Sequence, residues 1–372
     1  MSWHRAAALI DLDAIVSNAQ VLDRASGDAE LMAVVKADAY GHGVARVAPV
    51  LRDAGVPWLG VALPSEAVEL RSAGDRGRIL SWLWVPGDPL VTACIDLDID
   101  LGVSTLDSLQ QVSDAARTRG GRARIHLKID TGLSRNGALE HEWETLVRAA
   151  LNDARLELVG VWSHLARADE PQVDTTAEQG ARFARALDVV HALGGAPAHV
   201  HLANSASILA HPETHHTLVR TGIGLYGVTP GPGIGAPAAH GLRPAMEIRA
   251  RLALVKQIPA GAGVGYGHTW VAGRDTVVGL VPLGYGDGIP RASTGGCVSV
   301  AGRRAPVIGM VAMDQFVVQL DDVVPVGTEV EVLGPSSMNA EEWGASAGTI
   351  GYEVVTRIGS RLPRHYRGDT WT

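Results

Sequence analysis

The strongest constraint on the fold is an alternation of two patterns that runs from about residue 10 to residue 225. Short runs of β-branched and other apolar residues alternate with segments whose apolar residues recur every three or four positions, as on the buried face of a helix. The apolar runs are residues 31–35, 58–62, 79–85, 99–103, 123–129, 156–162, 199–202 and 218–220. Eight strands separated by helices favour a parallel (β/α)₈ barrel of the TIM type over an open doubly wound sheet.

A helix is also predicted before the first of these strands. Asp11 or Asp13 can cap it, because a short carboxylate side chain accepts a hydrogen bond from the unpaired N–H groups of a first helical turn. Ile15, Ala19 and Leu22 then fall on one face of the helix, which we expect to be buried.

The alternation stops at residues 227–244, where glycine and proline cluster without periodicity, and we interpret this segment as the connection between two domains. Apolar runs and period-two segments follow and predict strands; they cover residues 246–256, 276–283, 305–313 and 328–334. Asn339 and Glu342 have capping-box spacing and predict one late helix. We therefore predict a barrel domain over residues 1–235 and a mainly β domain over residues 236–372.

Composition narrows the function classes. The chain has 372 residues, with 32 basic and 40 acidic side chains, a net charge of −8 and no basic run, so we expect no nucleic-acid partner. Its start lacks a signal-peptide core, and no apolar stretch approaches the ~18 residues that span a bilayer, so we expect no membrane partner. Cys94 and Cys297 fit neither a disulfide framework nor a metal motif, which favours the cytoplasm and no bound metal.

Residues that can bind ligands or take part in catalysis lie at the ends of five of the eight predicted strands. Functional residues of such barrels lie at the carboxyl ends of the strands, so these side chains are expected to share one face. They are Lys36; Lys128, Asp130 and Arg135; His164; His201, Asn204 and Ser205; and Arg220 with Gly222.

Two of these strand ends together indicate a cofactor. Lys36 follows apolar and small residues, and the desolvation expected there lowers the pKa of a lysine and frees its amine to form a Schiff base. Ser205 and Gly222 end the seventh and eighth strands, where such barrels commonly bind phosphate. A reactive lysine and a phosphate cradle on one face favour pyridoxal phosphate. Taken singly, each feature also fits an ordinary explanation: a lysine extending into solvent, an unremarkable turn and, for Arg220, a structural salt bridge.

Longer motifs carry a resemblance to a known family. They are AVVKADAYGHG at 33–43, LKIDTGLSRNG at 127–137, SHLARAD at 163–169, HLANSAS at 201–207, RTGIGLYG at 220–227, GVGYGHTW at 263–270, GYGDG at 284–288, MDQ at 313–315 and YEVVTRIGSRLPR at 352–364. In this order, across both predicted domains, the sequence resembles the bacterial alanine racemases, which are fold-type III pyridoxal-phosphate enzymes.

The resemblance implies a role for each matching residue. Lys36 would hold the cofactor and act as the base for D-alanine, and Tyr266 would be the opposite base for L-alanine. His164 would lie near that tyrosine, and His201 would support Arg220 at the ring nitrogen of the cofactor. The remaining cofactor contacts would come from Tyr40, Asn204, Ser205, Gly222, Ile223 and Tyr352.

The substrate side of the site is implied in the same way. Arg135 would bind the phenolic oxygen of the cofactor and the carboxylate of alanine, with help from the backbone at Met313. Lys128 matches a position that can be carbamylated, and Tyr285 would narrow the access to the site.

The resemblance also implies a homodimer, because Tyr266 and Met313 would come from the partner subunit. The reaction would supply D-alanine for peptidoglycan.

Other functions stay open at this stage. A serine or broad-specificity racemase and an amino-acid decarboxylase use the same scaffold, although a decarboxylase typically places an acid, not Arg220, at the ring nitrogen. A non-catalytic pyridoxal-phosphate protein would not need the second domain. His199 and His201, two apart on one strand, could also belong to a metal-dependent hydrolase, but such enzymes carry this pair on the first strand.

Overall fold

Eight parallel strands form a nearly closed barrel in the computed structural model, which describes residues 4–368. One strand, β1 (Ala6–Asp11), precedes them and lies elsewhere. The barrel strands are β2 (Glu30–Val34), β3 (Trp58–Val61), β4 (Arg78–Ser81), β5 (Asp100–Val103), β6 (Ala123–Lys128), β7 (Leu156–Trp162), β8 (His199–His201) and β9 (Leu218–Thr221). Neighbours in the chain pair in parallel from β2 to β8, and β2 also pairs with β9, so the predicted (β/α)₈ fold is confirmed.

Helices connect the strands as the 3.6-residue period predicts. They are α1 (Leu12–Ser26), α2 (Lys36–Gly41), α3 (Val44–Asp53), α4 (Pro64–Ser72), α5 (Leu90–Asp96), α6 (Leu106–Arg119), α7 (Glu140–Asn152), α8 (Thr175–Ala192), α9 (Ser205–Ala210), and later α10 (Ala340–Ser346) and α11 (Gly351–Thr356). Asp11 caps α1, since its Oδ1 accepts a hydrogen bond of 2.8 Å from Ala14 N–H. Ile15, Ala19 and Leu22 are buried, as predicted, and each large apolar side chain contributes about 1.5–3 kcal/mol of hydrophobic stabilisation. None of these helices, within residues 4–368, is both long and apolar enough to cross a bilayer.

The second part of the chain is mainly β, as predicted. Its strands are β10 (Met246–Arg251), β11 (Leu254–Ile258), β12 (Gly263–Val264), β13 (Trp270–Val271), β14 (Thr276–Val281), β15 (Cys297–Val300), β16 (Arg303–Ile308), β17 (Phe316–Leu320), β18 (Glu329–Leu333) and β19 (Arg364–Arg367). The late helix α10 begins at the predicted capping box, in which Glu342 N–H donates to Asn339 Oδ1 at 2.8 Å. The following helix, α11, was not predicted.

One strand within the range predicted for the barrel domain pairs outside the barrel sheet. Residues 6–11 fall inside the range 1–235, yet β1 lies in the nine-stranded sheet of the second part, antiparallel to β10 and parallel to β19. The physical reason is that β1 is an apolar strand with unpaired backbone N–H and C=O groups along both edges. Pairing with β10 on one edge and β19 on the other satisfies these groups. The division at residues 235 and 236 itself stays a prediction.

The segment that follows β2 has an unusual backbone. Ala37, Asp38, Ala39 and Tyr40 have φ between 52° and 55°, which makes α2 a left-handed turn of non-glycine residues. Each such residue costs roughly 1–2 kcal/mol relative to a right-handed helix. Hydrogen bonds oppose this strain: Ala37 N–H donates to Glu66 Oε1 at 2.6 Å, and Val44 N–H donates to Asp38 Oδ1 at 2.7 Å.

His42 secures the end of this left-handed turn from inside the core. Its Nδ1 lies 3.0 Å from the carbonyl oxygens of Ala39 and Tyr40, and its ring stacks on Tyr226 with 4.4 Å between centroids. Carbonyl oxygens only accept, so Nδ1 carries the proton, and the buried Nε2 has no hydrogen-bond partner within residues 4–368. Burial lowers the pKa of His42 to about 4, although the two carbonyl oxygens act in the opposite direction.

We expect His42 to make the protein sensitive to acid. As the pH falls from 6.5 to 4, the unfolded imidazole binds a proton that the folded one does not, so the free energy of unfolding decreases, by about 3 kcal/mol from this residue. His42→Asn keeps an amide donor near the position of Nδ1 but has no titrating ring. Between pH 6.5 and 4, the free energy of unfolding of this variant, measured by urea titration, should therefore decrease by about 3 kcal/mol less than that of the native protein. The control is the exposed His141→Asn; equal pH slopes for all three proteins would contradict the assignment.

Candidate active site

A pocket of about 310 Å³ lies at the carboxyl end of the barrel strands. Its lining residues are Val34, Lys36, Tyr40, Trp82, Lys128, Arg135, Trp162, His164, Asn204, Ser205, Arg220, Gly222, Ile223 and Tyr352. Eleven of the fifteen residues to which the resemblance gives a role are in this set. The other three lining residues, Val34, Trp82 and Trp162, have no predicted role.

The other four residues with a role from the resemblance, and also Asp130, do not line this pocket in a single chain. His201 lies behind it, fully buried and in contact with Arg220. Tyr266, Tyr285 and Met313 lie on the surface of the β part, where 73%, 41% and 52% of their area is exposed. The loops of Tyr285 and Met313 are joined, because Tyr285 N–H donates to Ala312 O at 3.0 Å and Gly286 N–H donates to Met313 O at 2.8 Å.

Lys36 begins the strained turn α2 and is half-buried. Its Nζ lies 5.8 Å from the ring centroid of Tyr40 and 5.9 Å from that of Trp82. Burial lowers the pKa of Lys36, the positive charge of Arg135 lowers it further, and the carboxylate of Glu66 partly opposes both effects. The resulting amine loses its proton more easily than a lysine in water, which suits both a nucleophile and a proton acceptor.

Arg220 is a buried guanidinium whose hydrogen bonds go to neutral groups. Its Nη1 donates to His201 Nδ1 at 3.0 Å and to His201 O at 2.9 Å. Its Nη2 donates to Ser163 O at 2.8 Å and to Leu202 O at 3.1 Å, and lies 3.3 Å from His164 Nδ1. Burial lowers the pKa of Arg220 to about 9, so the group remains charged at neutral pH.

Ser205, Gly222 and Tyr40 form a tight corner of the pocket. The Ser205 Oγ accepts hydrogen bonds from Gly222 N–H at 2.9 Å and from Gly224 N–H at 3.3 Å. A Cβ on Gly222 would lie 2.3 Å from Tyr40 Oη, so any larger residue here would displace the Tyr40 hydroxyl. Backbone N–H groups and hydroxyls in such a corner can bind the oxygens of a phosphate.

Asn204 and Tyr352 complete the walls near this corner. The Asn204 Oδ1 accepts from Ala206 N–H at 3.0 Å and Ser207 N–H at 3.1 Å, so its carbonyl caps helix α9. Tyr352, on α11, brings the second part of the same chain to the pocket, with its ring 6.5 Å from that of Tyr40.

Lys128 lies at the end of β6, with its Nζ 4.4 Å from the ring centroid of Trp162. Burial lowers the pKa of Lys128 to about 7, and the positive charges of Arg220 and Arg135 act in the same direction. A substantial fraction of this amine is therefore neutral at neutral pH.

The lining residues contain four cationic side chains, Lys36, Lys128, Arg135 and Arg220, and no carboxylate. Such a pocket favours a ligand with several negative charges, since each anionic group gains charge-assisted hydrogen bonds there. The histidine pair considered for a hydrolase does not lie in it. Both ring nitrogens of His201 contact other side chains, Arg220 and His126, and His199 contacts Glu30 at 3.4 Å.

Comparisons with known proteins agree with this geometry. Residues 10–230 match the family model "Alanine racemase, N-terminal domain", and residues 245–366 match "Alanine racemase, C-terminal domain". The alanine racemase of Frankia casuarinae is 47% identical over 97% of this chain and 96% of its own length, and that of Streptomyces coelicolor is 48% identical with the same coverage. The crystal structure of alanine racemase from a D-cycloserine-producing Streptomyces lavendulae superimposes with a TM-score of 0.97, at 48% identity, over 99% of this chain and 98% of that one.

Arg220→Lys tests how much the buried guanidinium stabilises the site. A lysine keeps the charge but cannot donate to His201, Ser163 and Leu202 together, so buried acceptors lose their partners. We expect the free energy of unfolding to decrease by about 3–5 kcal/mol in urea titrations. Arg117→Lys, at an exposed ion pair with Asp114, is the control and should change it by less than about 0.5 kcal/mol. Equal decreases in the free energy of unfolding for the two substitutions would show that the hydrogen bonds of Arg220 do not stabilise the protein more than an exposed ion pair does.

Proposed function

Because the chain belongs to the alanine racemase family, we propose that it is an isomerase that interconverts L-alanine and D-alanine with pyridoxal phosphate as its cofactor. The observation that carries the proposal is the pocket itself, where the partly desolvated Lys36 lies among three other basic side chains and no carboxylate lines the wall. The cofactor phosphate and the substrate carboxylate are the anions that such a pocket would bind.

The residues present fit this cofactor. Lys36 would bind its aldehyde carbon, and the tight corner at Gly222, where a Cβ would lie 2.3 Å from Tyr40 Oη, would receive the phosphate oxygens. The remaining phosphate contacts would come from Tyr40, Ser205, Ile223 and Tyr352. When bound, pyridoxal phosphate supplies an electron sink that makes the α-proton of an amino acid acidic.

Arg220 would face the pyridine nitrogen. A guanidinium has donors and no acceptor, and at a pKa of about 9 it keeps its own protons at neutral pH. It would therefore donate a hydrogen bond to that nitrogen without protonating it. An acid at this position, as expected for the decarboxylase alternative, would do the opposite, so Arg220 favours the racemase.

Racemisation needs a proton acceptor on each face of the substrate. The lowered pKa of Lys36 supports the role of its Nζ as the acceptor for the proton of D-alanine. For L-alanine we propose the phenolic oxygen of Tyr266 of the partner subunit, which as a phenolate would take up the α-proton and become a hydroxyl. In this chain Tyr266 is 73% exposed and away from the pocket, which is what a residue reserved for the site of a second subunit requires.

The same dimer would complete the substrate side of the site. Arg135 would bind the substrate carboxylate together with the backbone at Met313 of the partner subunit, and the partner's Tyr285 would narrow the access. His164 would lie between Arg220 and the partner's Tyr266. We further propose that the enzyme works in the cytoplasm and that its D-alanine is used for peptidoglycan.

Incubation of the purified enzyme with L-alanine in deuterated water tests the reaction. We expect loss of optical rotation together with deuteration at Cα, because a proton removed from one face is replaced from solvent on the other. Tyr266→Phe should slow the L-to-D direction about 100-fold or more, since general base catalysis typically contributes 10²–10⁴-fold. Parallel incubation with L-serine measures the breadth of the specificity. Unchanged rotation and no deuteration in the cofactor-loaded protein would disprove the racemase.

Mixing two inactive variants tests whether the site is shared between subunits. Lys36→Ala and Tyr266→Phe chains, unfolded together and refolded, should regain about a quarter of the activity of the native enzyme, because half of the dimers are mixed and each has one intact site. Each variant refolded alone is the control. No recovery from a mixture shown to contain mixed dimers would place Tyr266 in the site of its own chain.

Carbamylation of Lys128 is testable because the chain has only three lysines, Lys36, Lys128 and Lys256. A carbamate forms from a neutral amine, so at a pKa of about 7 its formation should increase as the pH rises through 7. With ¹³C-labelled bicarbonate we expect a carbamate carbon signal in the NMR spectrum that is lost in Lys128→Met and kept in the exposed Lys256→Met. A signal that persists in Lys128→Met would contradict this proposal.

A further inference from the structure

A line of buried polar side chains extends from Arg220 through the inside of the barrel, away from the pocket. His201 Nδ1 lies 3.0 Å from Arg220 Nη1, and His201 Nε2 lies 2.9 Å from His126 Nδ1. His126 Nε2 in turn lies 3.1 Å from Asp100 Oδ2. The side chains of His201, His126 and Asp100 are completely inaccessible to solvent.

The donors and acceptors in this line follow from elementary chemistry. A guanidinium can only donate, so His201 Nδ1 must accept and its single proton lies on Nε2. That proton is donated to His126 Nδ1, which therefore carries none, and the proton of His126 lies on Nε2 facing Asp100. All three hydrogen bonds thus point from Arg220 towards the carboxylate, with both imidazoles neutral.

The charges agree with this direction. Burial lowers the pKa of His201 and of His126, which keeps the rings neutral. Burial alone would raise the pKa of Asp100, but the hydrogen bond from His126 and the charges of Arg124 and Arg78 outweigh it and hold the pKa well below its ordinary value. Asp100 is therefore a carboxylate, and it is the only carboxylate in this line.

Packing keeps the line in one conformation. The ring of His201 stacks on Trp162 with 5.4 Å between centroids and 7° between planes, and Trp58 contacts His126 edge-on at 5.6 Å. Asp100 begins β5 and His201 ends β8, so the line crosses the barrel from its amino end to its carboxyl end.

We propose that Asp100 and His126 are positioning residues for the reaction, which hold Arg220 through His201 and provide its counter-charge from a distance. This inference rests on the proposed function, in which Arg220 contacts the cofactor. A carboxylate bonded directly to Arg220 would weaken its hydrogen bond to the pyridine nitrogen. The line orients the guanidinium instead, and the described hydrogen bonds use Nη1 and Nη2, so that Nε–H remains available for a ligand.

The tautomers of the two histidines give the first test. In the cofactor-loaded enzyme with ¹⁵N-labelled histidine, we expect NMR spectra in which His126 and His201 are neutral, with protons on Nε2 and none on Nδ1. Single His→Asn variants assign the signals. A proton on Nδ1 of either ring, or a charged ring, would overturn the proposal. This readout needs no turnover, so an enzyme that shows these tautomers but does not racemise alanine would disprove the proposed function alone.

Substitution of the remote carboxylate gives the second test. Asp100→Asn should lower kcat about tenfold with little change in KM, as expected when a partner behind a functional group is lost, and should move the His201 ¹⁵N signals. Asp98→Asn is the matched control, because it is the same substitution at an exposed carboxylate that contacts Arg124 and lies outside the line; its kcat should stay within about twofold. Equal losses in both variants, or a native kcat and native His201 signals in Asp100→Asn, would overturn the proposal.

A further variant covers the case in which Asp100→Asn does not fold. His126→Asn places Oδ1 near the position of Nδ1, so His201 keeps an acceptor while the connection to Asp100 is broken. We expect the same loss of kcat with an unchanged KM, and native activity in this variant would contradict the proposal.

Discussion

The guanidinium of Arg220 is the group on which both the barrel and its pocket depend. The strands β8 and β9 are the two ends of the eight-stranded sheet and do not share a continuous ladder. Arg220, on β9, donates to carbonyl oxygens of His201 and Leu202 at the end of β8 and of Ser163 just after β7. Hydrogen bonds from a charged donor are worth about 1.5–3 kcal/mol each. The side chain that ties the barrel at its open seam also faces the pocket, so folding itself places the main cation of the site.

A second constraint lies at the end of β2, the strand that pairs with β9, where a strained backbone carries the reactive lysine. The left-handed turn after Lys36 is held by Glu66, whose carboxylate accepts from Ala37 N–H and from Ala62 and Leu63 N–H of the neighbouring strand end. Backbone strain of this kind persists only where the surroundings over-determine it, and it is common at functional sites. Glu66 also opposes the loss of the proton from Lys36, so one carboxylate affects both the position and the acidity of that amine.

Much of the site was predictable because parallel strands bring their carboxyl ends to one face. The order of the strands alone therefore groups four residues on this face: Lys36, Lys128, Ser205 and Arg220. Trp82 follows β4 and Trp162 ends β7, but aromatic side chains at such positions are also typical of an ordinary core. The roles of Glu66, His126 and Asp100 were not predictable from neighbouring residues. A carboxylate at the start of a helix or a histidine within a strand is common, and the contacts that give these three their roles come from residues remote in the chain.

The sequence by itself determined the periodic features: eight strands, the helices between them, the capping of α1 and α10, and a change to β structure after residue 244. These depend on neighbours a few positions apart, whose spacing decides which face is buried. Tertiary structure alone decided that β1 joins the second sheet and that a line of hydrogen bonds connects Arg220 to Asp100. Each of these facts depends on contacts between residues that are remote in the chain. The partner of a strand edge, or of a buried polar atom, is set by the three-dimensional packing, and a pattern of neighbouring residues does not determine it.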